Sequence, residues 1–92
     1  MNTDYVGRYV EYKLLENEDE IRITFYELRV KENLTEIETE EFLQLCKSKL
    51  ENMQYNVYFT GETFIYKQCN RKVQPNELLI AIKSGENSNE KM

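Results

Sequence analysis

The chain has 92 residues, a formal net charge of -5 and no histidine or tryptophan. Without histidine it lacks the side chain that most often transfers protons near neutral pH and binds zinc or copper, so we expect neither an enzyme nor a cofactor. The excess of acidic residues also disfavours general binding to nucleic acid or to anionic membranes, which requires a basic surface.

The N-terminus and the cysteines predict a cytoplasmic protein. Residues 1–4 have neither the basic nor the apolar region of a signal peptide, and no apolar run is long enough to span a membrane. Cys46 and Cys69 belong to no CxxC pair, which is typical of reduced thiols buried in a core. A chain of this length fits one core, so we expect a single domain over residues 1–83. The polar remainder, residues 84–92, predicts a disordered tail.

The first stretch, residues 5–15, alternates between apolar and polar side chains and predicts a half-buried strand. Its apolar set comprises Val6, Val10, Tyr12 and Leu14, and the opposite set includes Tyr5 and Tyr9. Residues 16–20 follow with four carboxylates and no apolar side chain, so they predict a solvated turn between two strands.

A second strand is predicted over residues 21–30, which begin with alternating apolar side chains. The apolar positions then change parity between Phe25 and Leu28. Because side chains of a strand point alternately to its two faces, this change requires either a β-bulge near Tyr26 and Glu27 or a strand covered on both faces.

Residues 35–53 change to helical spacing. Apolar side chains recur every three or four positions, at Phe42, Leu43, Cys46, Leu50 and Met53. Two N-caps compete, because Thr35 with Glu38 forms a capping box whereas Thr39 is followed directly by two glutamates. We place the helix start at Thr39, since those glutamates then meet the positive end of the helix dipole, and we expect residues 34–38 to be a short linker or one frayed helical turn.

Three further strands are predicted over residues 55–60, 63–69 and 78–83, which are rich in β-branched, aromatic or aliphatic side chains. The first two are joined at Gly61 by a short turn that suits a β-hairpin. Residues 78–83 are the most continuously apolar, so we expect them in the sheet interior with a strand on either side. The order ββαβββ predicts a two-layer α+β fold, with an antiparallel sheet of about five strands and one helix packed on one face.

Several of the seven tyrosines fall opposite the most aliphatic side of their predicted strands. On a sheet face without a helix, tyrosine suits an interface because it combines a large contact area with few rotamers and a hydroxyl group. We therefore predict that five of them bind a partner: Tyr5, Tyr9, Tyr26, Tyr58 and Tyr66. The alternative is a monomer whose half-hydrated sheet face carries tyrosines without a partner.

The acidic turn adds Glu18, Asp19 and Glu20 to the predicted partner-binding residues. A string of carboxylates can imitate DNA phosphates and occupy the basic groove of a nucleic-acid enzyme. The alternative is a solvated loop, which is the usual role of a run of charges. A calcium site is not expected, because the segment lacks the central glycine and the distal glutamate of an EF-hand.

Residues 55–72 are mildly basic and rich in aromatic side chains, which favours a single-stranded nucleic-acid binder as the alternative function. The segment lacks the RNP1 pattern, so nucleic acid is a disfavoured partner. Cys69 lies close to Arg71 and Lys72, which lower a thiol pKa. A cysteine nucleophile also needs a base, however, and the chain has no imidazole to supply one.

The missing catalytic groups and the abundant tyrosines predict a small acidic cytoplasmic binding module that regulates or inhibits a protein partner. We expect the partner to be another protein or a second copy of the chain, with no membrane and no cofactor involved. In size, acidity and lack of catalytic groups the chain is similar in type to accessory inhibitors and regulators of phages and mobile elements.

Overall fold

The computed structural model describes residues 2–60 and 76–84 of the chain. The elements in chain order are α1 (Thr3–Glu16), β1 (Glu20–Thr24), a π-helix (Tyr26–Lys31), α2 (Glu36–Asn52), β2 (Tyr55–Phe59) and β3 (Glu77–Lys83). The strands pair antiparallel in the order β1-β3-β2. The predicted α+β class is confirmed. The described residues form three strands and several helices, however, and do not confirm five strands in the order ββαβββ.

The predicted strand over residues 5–15 is wrong, because these residues lie within α1. The buried side chains of α1 are spaced by three and four residues: Val6, Tyr9, Val10 and Lys13. Val6 and Val10 are four positions apart, which satisfies a helical period and the alternation of a strand equally well. Asn2 caps the helix, since its side chain accepts a hydrogen bond of 2.7 Å from the backbone N of Asp4.

The predicted strand over residues 21–30 is right only for its first half. β1 ends at Thr24, and the chain then forms the π-helix. Leu28 of the π-helix is as completely buried as Ile23 of β1. The change of apolar parity therefore marks a change of secondary structure, and neither a β-bulge near Tyr26 nor a strand covered on both faces is found there. An irregularity in the register of β1 lies earlier, between Ile23 and Thr24.

α2 begins at Glu36, so the predicted helix start at Thr39 is wrong. The competing capping box is the one that forms. The Thr35 side chain accepts from the backbone N of Glu38 at 3.1 Å, and the Glu38 carboxylate accepts from the backbone N of Thr35 at 2.9 Å. This reciprocal pair satisfies two backbone donors, whereas an N-cap at Thr39 would satisfy one. Thr39 instead lies inside the helix and donates from its hydroxyl to the carbonyl oxygen of Thr35 at 2.8 Å.

The predicted strands over residues 55–60 and 78–83 are confirmed as β2 and β3. β3 lies in the centre of the described sheet, with β1 and β2 on its two sides, as its continuous apolar sequence predicts. The predicted hairpin at Gly61, the predicted strand over residues 63–69 and all but the first residue of the predicted tail over 84–92 lie outside the described residues.

The core lies between the sheet and the helices. α2 packs against β2 and the π-helix, and α1 packs against α2. The predicted apolar stripe of α2 is confirmed by Phe42, Cys46 and Leu50, which are fully buried in this core, although Met53 at its end is exposed. Side chains from the facing side of the sheet complete the core: Ile21, Ile23, Leu79 and Ala81.

Ile80 points to the other face of the sheet, in register with Arg22 of β1 and Tyr58 of β2, and it is fully buried. Beside it, Arg22 donates hydrogen bonds of 2.8 Å to both carboxylate oxygens of Glu77. Burial lowers the pKa of Arg22, but its hydrogen bonds to Glu77 and Glu20 outweigh this effect and raise the pKa overall. The face opposite the helices therefore carries one buried isoleucine and, beside it, a partly buried ion pair.

Candidate functional site

The tyrosines predicted to share one sheet face lie on different elements, so that arrangement is wrong. Tyr5 and Tyr9 are on α1, Tyr26 is on the π-helix and Tyr58 is on β2, while Tyr66 lies outside the described residues. These tyrosines do not share a sheet face because the first predicted strand is a helix and the second ends before Tyr26. Among the described tyrosines of this set, the structure brings Tyr5 and Tyr9 together.

Tyr5 and Tyr9 line an opening between α1 and the end of the π-helix, which we call the tyrosine cleft. It has a volume of about 340 Å³. Its lining residues are Tyr5, Arg8, Tyr9, Tyr12, Lys31 and Glu32. The four that come from α1 recur at three- and four-residue spacing, so one side of the helix presents them. The period of a strand places Tyr12 among the aliphatic residues, whereas helical spacing groups it with the other two tyrosines.

Phe42 of α2 holds two of the cleft tyrosines in place. The rings of Tyr5 and Tyr9 both meet Phe42 edge to face, with centroids 5.6 and 5.1 Å from its own. The Tyr5 hydroxyl donates to the carboxylate of Glu32, which ties α1 to the residue after the π-helix. Burial, together with the hydrogen bond and the charge of Glu32, raises the pKa of Tyr5 to about 12, so this phenol stays neutral.

An ion pair beside Tyr9 fixes the π-helix against α1. Lys13 Nζ lies 2.7 Å from a carboxylate oxygen of Glu27 and 6.0 Å from the ring centroid of Tyr9. The Glu27 carboxylate also accepts a hydrogen bond of 2.9 Å from the backbone N of Thr24. Burial raises the pKa of Glu27, but the hydrogen bonds from Lys13 and Thr24 outweigh burial, so the pKa is lowered and the carboxylate is charged.

Tyr9 supports the cleft more than it faces solvent. Its exposed fraction is 8%, and its hydroxyl is buried without a hydrogen-bond partner among the described residues. Burial and the nearby charge of Glu27 raise the pKa of Tyr9, which keeps the phenol neutral. A binding partner would therefore contact little of the Tyr9 side chain, whereas Tyr12 is 52% exposed and offers a larger surface.

The rim of the tyrosine cleft is cationic and partly apolar. Arg8 and Lys31 are exposed, and neither forms an ion pair within the described part of the chain. Tyr12 has Leu15 one turn further along α1, and this leucine is 87% exposed. Phenol rings beside two cations suit a partner segment that has an apolar side chain next to a carboxylate, with Glu32 already occupied by a phenol hydroxyl.

The predicted acidic residues Glu18, Asp19 and Glu20 connect α1 to β1, so the predicted turn between two strands is wrong. Glu18 pairs with Lys83 at 3.0 Å, and the carbonyl oxygen of Asp19 accepts from the backbone N of Lys83 at 3.0 Å. Glu20 pairs with Arg22 at 2.6 Å. Two of these three carboxylates therefore have a cationic partner. The segment follows the C-terminal end of α1, and none of its residues lines the tyrosine cleft.

A second opening, which we call the α2 groove, lies between α2 and the ends of β2 and β3. It has a volume of about 650 Å³ and is lined by Ile37, Glu40, Glu41, Leu43, Gln44, Phe59 and Leu78. The sequence signal that points to it is an isoleucine set between Glu36 and Glu38, away from the apolar stripe of α2. That isoleucine, Ile37, is 77% exposed.

Cys46 is a free thiol and is fully buried, as predicted. Burial raises the pKa of Cys46 to about 12, so the thiol is protonated at neutral pH. Cys69 and residues 61–72 of the predicted nucleic-acid-binding segment lie outside the described residues.

Comparisons of the chain with protein families, with curated proteins and with solved structures found no match. Within residues 2–60 and 76–84, no helix is both long enough and apolar enough to cross a membrane.

Proposed function

We propose that the protein is a small cytoplasmic binding module that regulates or inhibits a protein partner, and that the partner binds at the tyrosine cleft. The supporting observation is that Tyr5, Tyr9 and Tyr12 surround one opening together with Arg8 and Lys31. Tyrosine and arginine are enriched at protein interfaces, where they supply much of the binding free energy. The partner segment presents an apolar side chain next to a carboxylate.

The shape of the cleft is set before a partner arrives. Tyr5 and Tyr9 are held against Phe42, and the pair between Lys13 and Glu27 holds the π-helix. A preorganised surface loses less conformational entropy on binding, which favours affinity. π-helical turns are also frequent at functional sites, because the extra residue in the turn changes where side chains point.

Photo-cross-linking in the native cells tests this surface. The photoreactive amino acid p-benzoylphenylalanine replaces Tyr12 in one variant and Met53, at the C-terminal end of α2, in the control; both positions are exposed. We expect a discrete protein adduct from position 12 and none from position 53. The protein in that adduct, once purified, should bind the parent chain, and Tyr12→Ser and Arg8→Glu should each weaken binding by about tenfold or more.

Light scattering of the purified chain first shows whether the partner is a second copy. Circular dichroism of each variant confirms that the fold is retained. The proposal is wrong if positions 12 and 53 give the same adducts or none, or if the cleft variants bind the purified partner as tightly as the parent chain does.

A further inference from the structure

The α2 groove is an apolar surface that the tyrosine cleft does not use, since the two openings share no lining residue. Leu43 and Leu78 are partly buried against the core and form its floor. Ile37 and Phe59 stand at its sides, with exposed fractions of 77% and 37%. The groove thus combines apolar side chains that pack on the core with exposed apolar side chains. Contact with water is unfavourable for the exposed ones, so covering them with a partner is favourable.

The charges around this groove indicate what kind of segment is complementary to it. The first half of α2, residues 36–44, carries four glutamates and no lysine or arginine. Glu38 belongs to the capping box, while Glu40 and Glu41 line the groove. No basic side chain appears among its described lining residues. An apolar groove with an acidic rim is complementary to a segment that is apolar on one face and basic beside it.

We infer that the α2 groove binds an amphipathic, basic helix of a protein partner. Apolar side chains of that helix rest on Leu43 and Leu78 between Ile37 and Phe59, and its lysines or arginines lie beside Glu40. From Ile37 to Gln44 the groove extends along α2 for roughly 10 Å at the rise of an α-helix, which is enough for anchors at positions i, i+3 or i+4, and i+7.

The same charges disfavour the other occupants. An anionic membrane surface is repelled by the acidic rim. A second copy of this chain would bring a net charge of -5 to an already acidic groove, and like charges across an interface cost free energy. A basic helix from a different protein avoids this repulsion, because its charge is opposite to that of the groove.

A model peptide tests the inference on the full chain without a known partner. The probe is a fluorescein-labelled amphipathic helix of leucine and lysine, about four turns long, and the control peptide has glutamate in place of each lysine. We expect fluorescence anisotropy to show binding of the lysine peptide only. Ile37→Ser and Glu40→Lys should each weaken it by about tenfold or more. Backbone amide shifts should map to α2, β2 and the start of β3.

Two matched substitutions distinguish binding in this groove from nonspecific binding to exposed apolar or acidic side chains elsewhere. Val30→Ser removes an exposed apolar side chain from the π-helix, and Glu11→Lys reverses an exposed charge on α1; neither residue lines the groove. Both should bind the lysine peptide as the parent does. Tyr12→Ser should also leave peptide binding unchanged, so a failure of the tyrosine cleft and a failure of the α2 groove are distinguishable.

Several results would overturn the inference. They are equal binding of the two peptides, equal weakening by Ile37→Ser and Val30→Ser, or amide shifts confined to α1 and the π-helix. Self-association of the chain that Ile37→Ser abolishes would assign the groove to a second copy.

Discussion

Tyr5 and Tyr9 form a matched pair, because both rings pack edge to face on Phe42 but their hydroxyl groups differ. The Tyr5 hydroxyl donates to Glu32, whereas the Tyr9 hydroxyl is buried without a partner among the described residues. A buried polar group without a partner costs free energy, so Tyr9→Phe should leave the free energy of unfolding unchanged or raise it by up to about 1 kcal/mol. Tyr5→Phe should lower it by about 1 kcal/mol.

Urea unfolding followed by circular dichroism measures both variants against the parent. Both rings pack on Phe42, so each variant serves as the control for the other. A clear loss of stability in Tyr9→Phe would show that the Tyr9 hydroxyl makes a stabilising hydrogen bond in the folded protein.

The carboxylate of Glu27 makes stability depend on pH. Its side chain is 24% exposed and that of its partner Lys13 is 10% exposed, and its pKa is lowered from the ordinary value of 4.5. A carboxyl group with a lower pKa in the folded state stabilises the fold fully above its unfolded pKa, and this contribution is lost as pH falls through the folded pKa. We expect Glu27→Gln to be less stable than the parent by about 1 to 3 kcal/mol near neutral pH. That gap should shrink as pH falls below 4.5.

Urea unfolding in a series of buffers from neutral to acidic pH checks this expectation. Glu51→Gln is the control, because Glu51 forms an exposed pair with Lys47 four residues earlier on α2. Such exposed pairs contribute only about 0.3 to 0.5 kcal/mol. A gap between Glu27→Gln and the parent that stays constant as pH falls would argue against the charged pair.

The start of α2 depends on Thr35, which exchanges two hydrogen bonds with Glu38. Loss of such a cap typically costs about 1 kcal/mol, within a range of about 0.5 to 2 kcal/mol, so Thr35→Ala should destabilise the chain by that amount. Ser48→Ala is the control, because Ser48 is exposed and lies on the same helix, far from its N-terminal cap. Thermal unfolding compares the two, and similar melting temperatures would mean that the helix starts elsewhere.

α2 and β3 are predictable from sequence because each follows a single pattern. Phe42, Cys46 and Leu50 are four positions apart and would fit either period. Leu43 and Met53 add apolar positions of the opposite parity, so the whole stripe fits a helix alone. The continuous apolar run over residues 78–82 fits a short buried strand. α1 is not predictable in the same way, since its two buried valines satisfy both periods. The π-helix is harder still, because its hydrogen bonds join residues five positions apart instead of the four of an α-helix, and no distinctive composition marks this difference.

The tyrosine cleft is only half predictable. Tyr5 and Tyr9 are selected by the sequence pattern, but by the parity of a strand that does not exist, and that same parity hides Tyr12. Arg8 and Lys31 come from different helices. They line the same cleft only because the fold places the end of the π-helix beside α1. A local sequence pattern cannot show that residues so far apart in the sequence lie close together in the fold.

The sheet buries a large aliphatic side chain on each of its faces. Leu50 lies on the helix side, and Ile80 lies on the other side between Arg22 and Tyr58. Leu50→Ala and Ile80→Ala should each lower the free energy of unfolding by about 2 to 4 kcal/mol, as truncations in a packed core do. Urea unfolding measures both, with the exposed Leu15→Ala as a control expected within about 0.5 kcal/mol of the parent. An Ile80→Ala cost as small as the control would mean that water reaches that face.

The central place of β3 also decides when the sheet can form during synthesis. In the described sheet β1 and β2 pair with β3 and not with each other. During synthesis on the ribosome, β1 and β2 therefore lack the hydrogen bonds of the described sheet until residues 77–83 have been translated and have left the exit tunnel. The helices need only local hydrogen bonds, but helices of this length are marginal in water on their own.

A chain that stops at residue 76 reproduces that nascent state. It should show some helical circular dichroism but no cooperative urea transition, whereas a chain that runs to residue 84 should unfold in one step. A cooperative transition in the shorter chain would show that β3 is dispensable. Until β3 has paired with them, the apolar sides of β1 and β2 are exposed to water, so chaperones that bind exposed hydrophobic segments would meet this chain before its sheet forms.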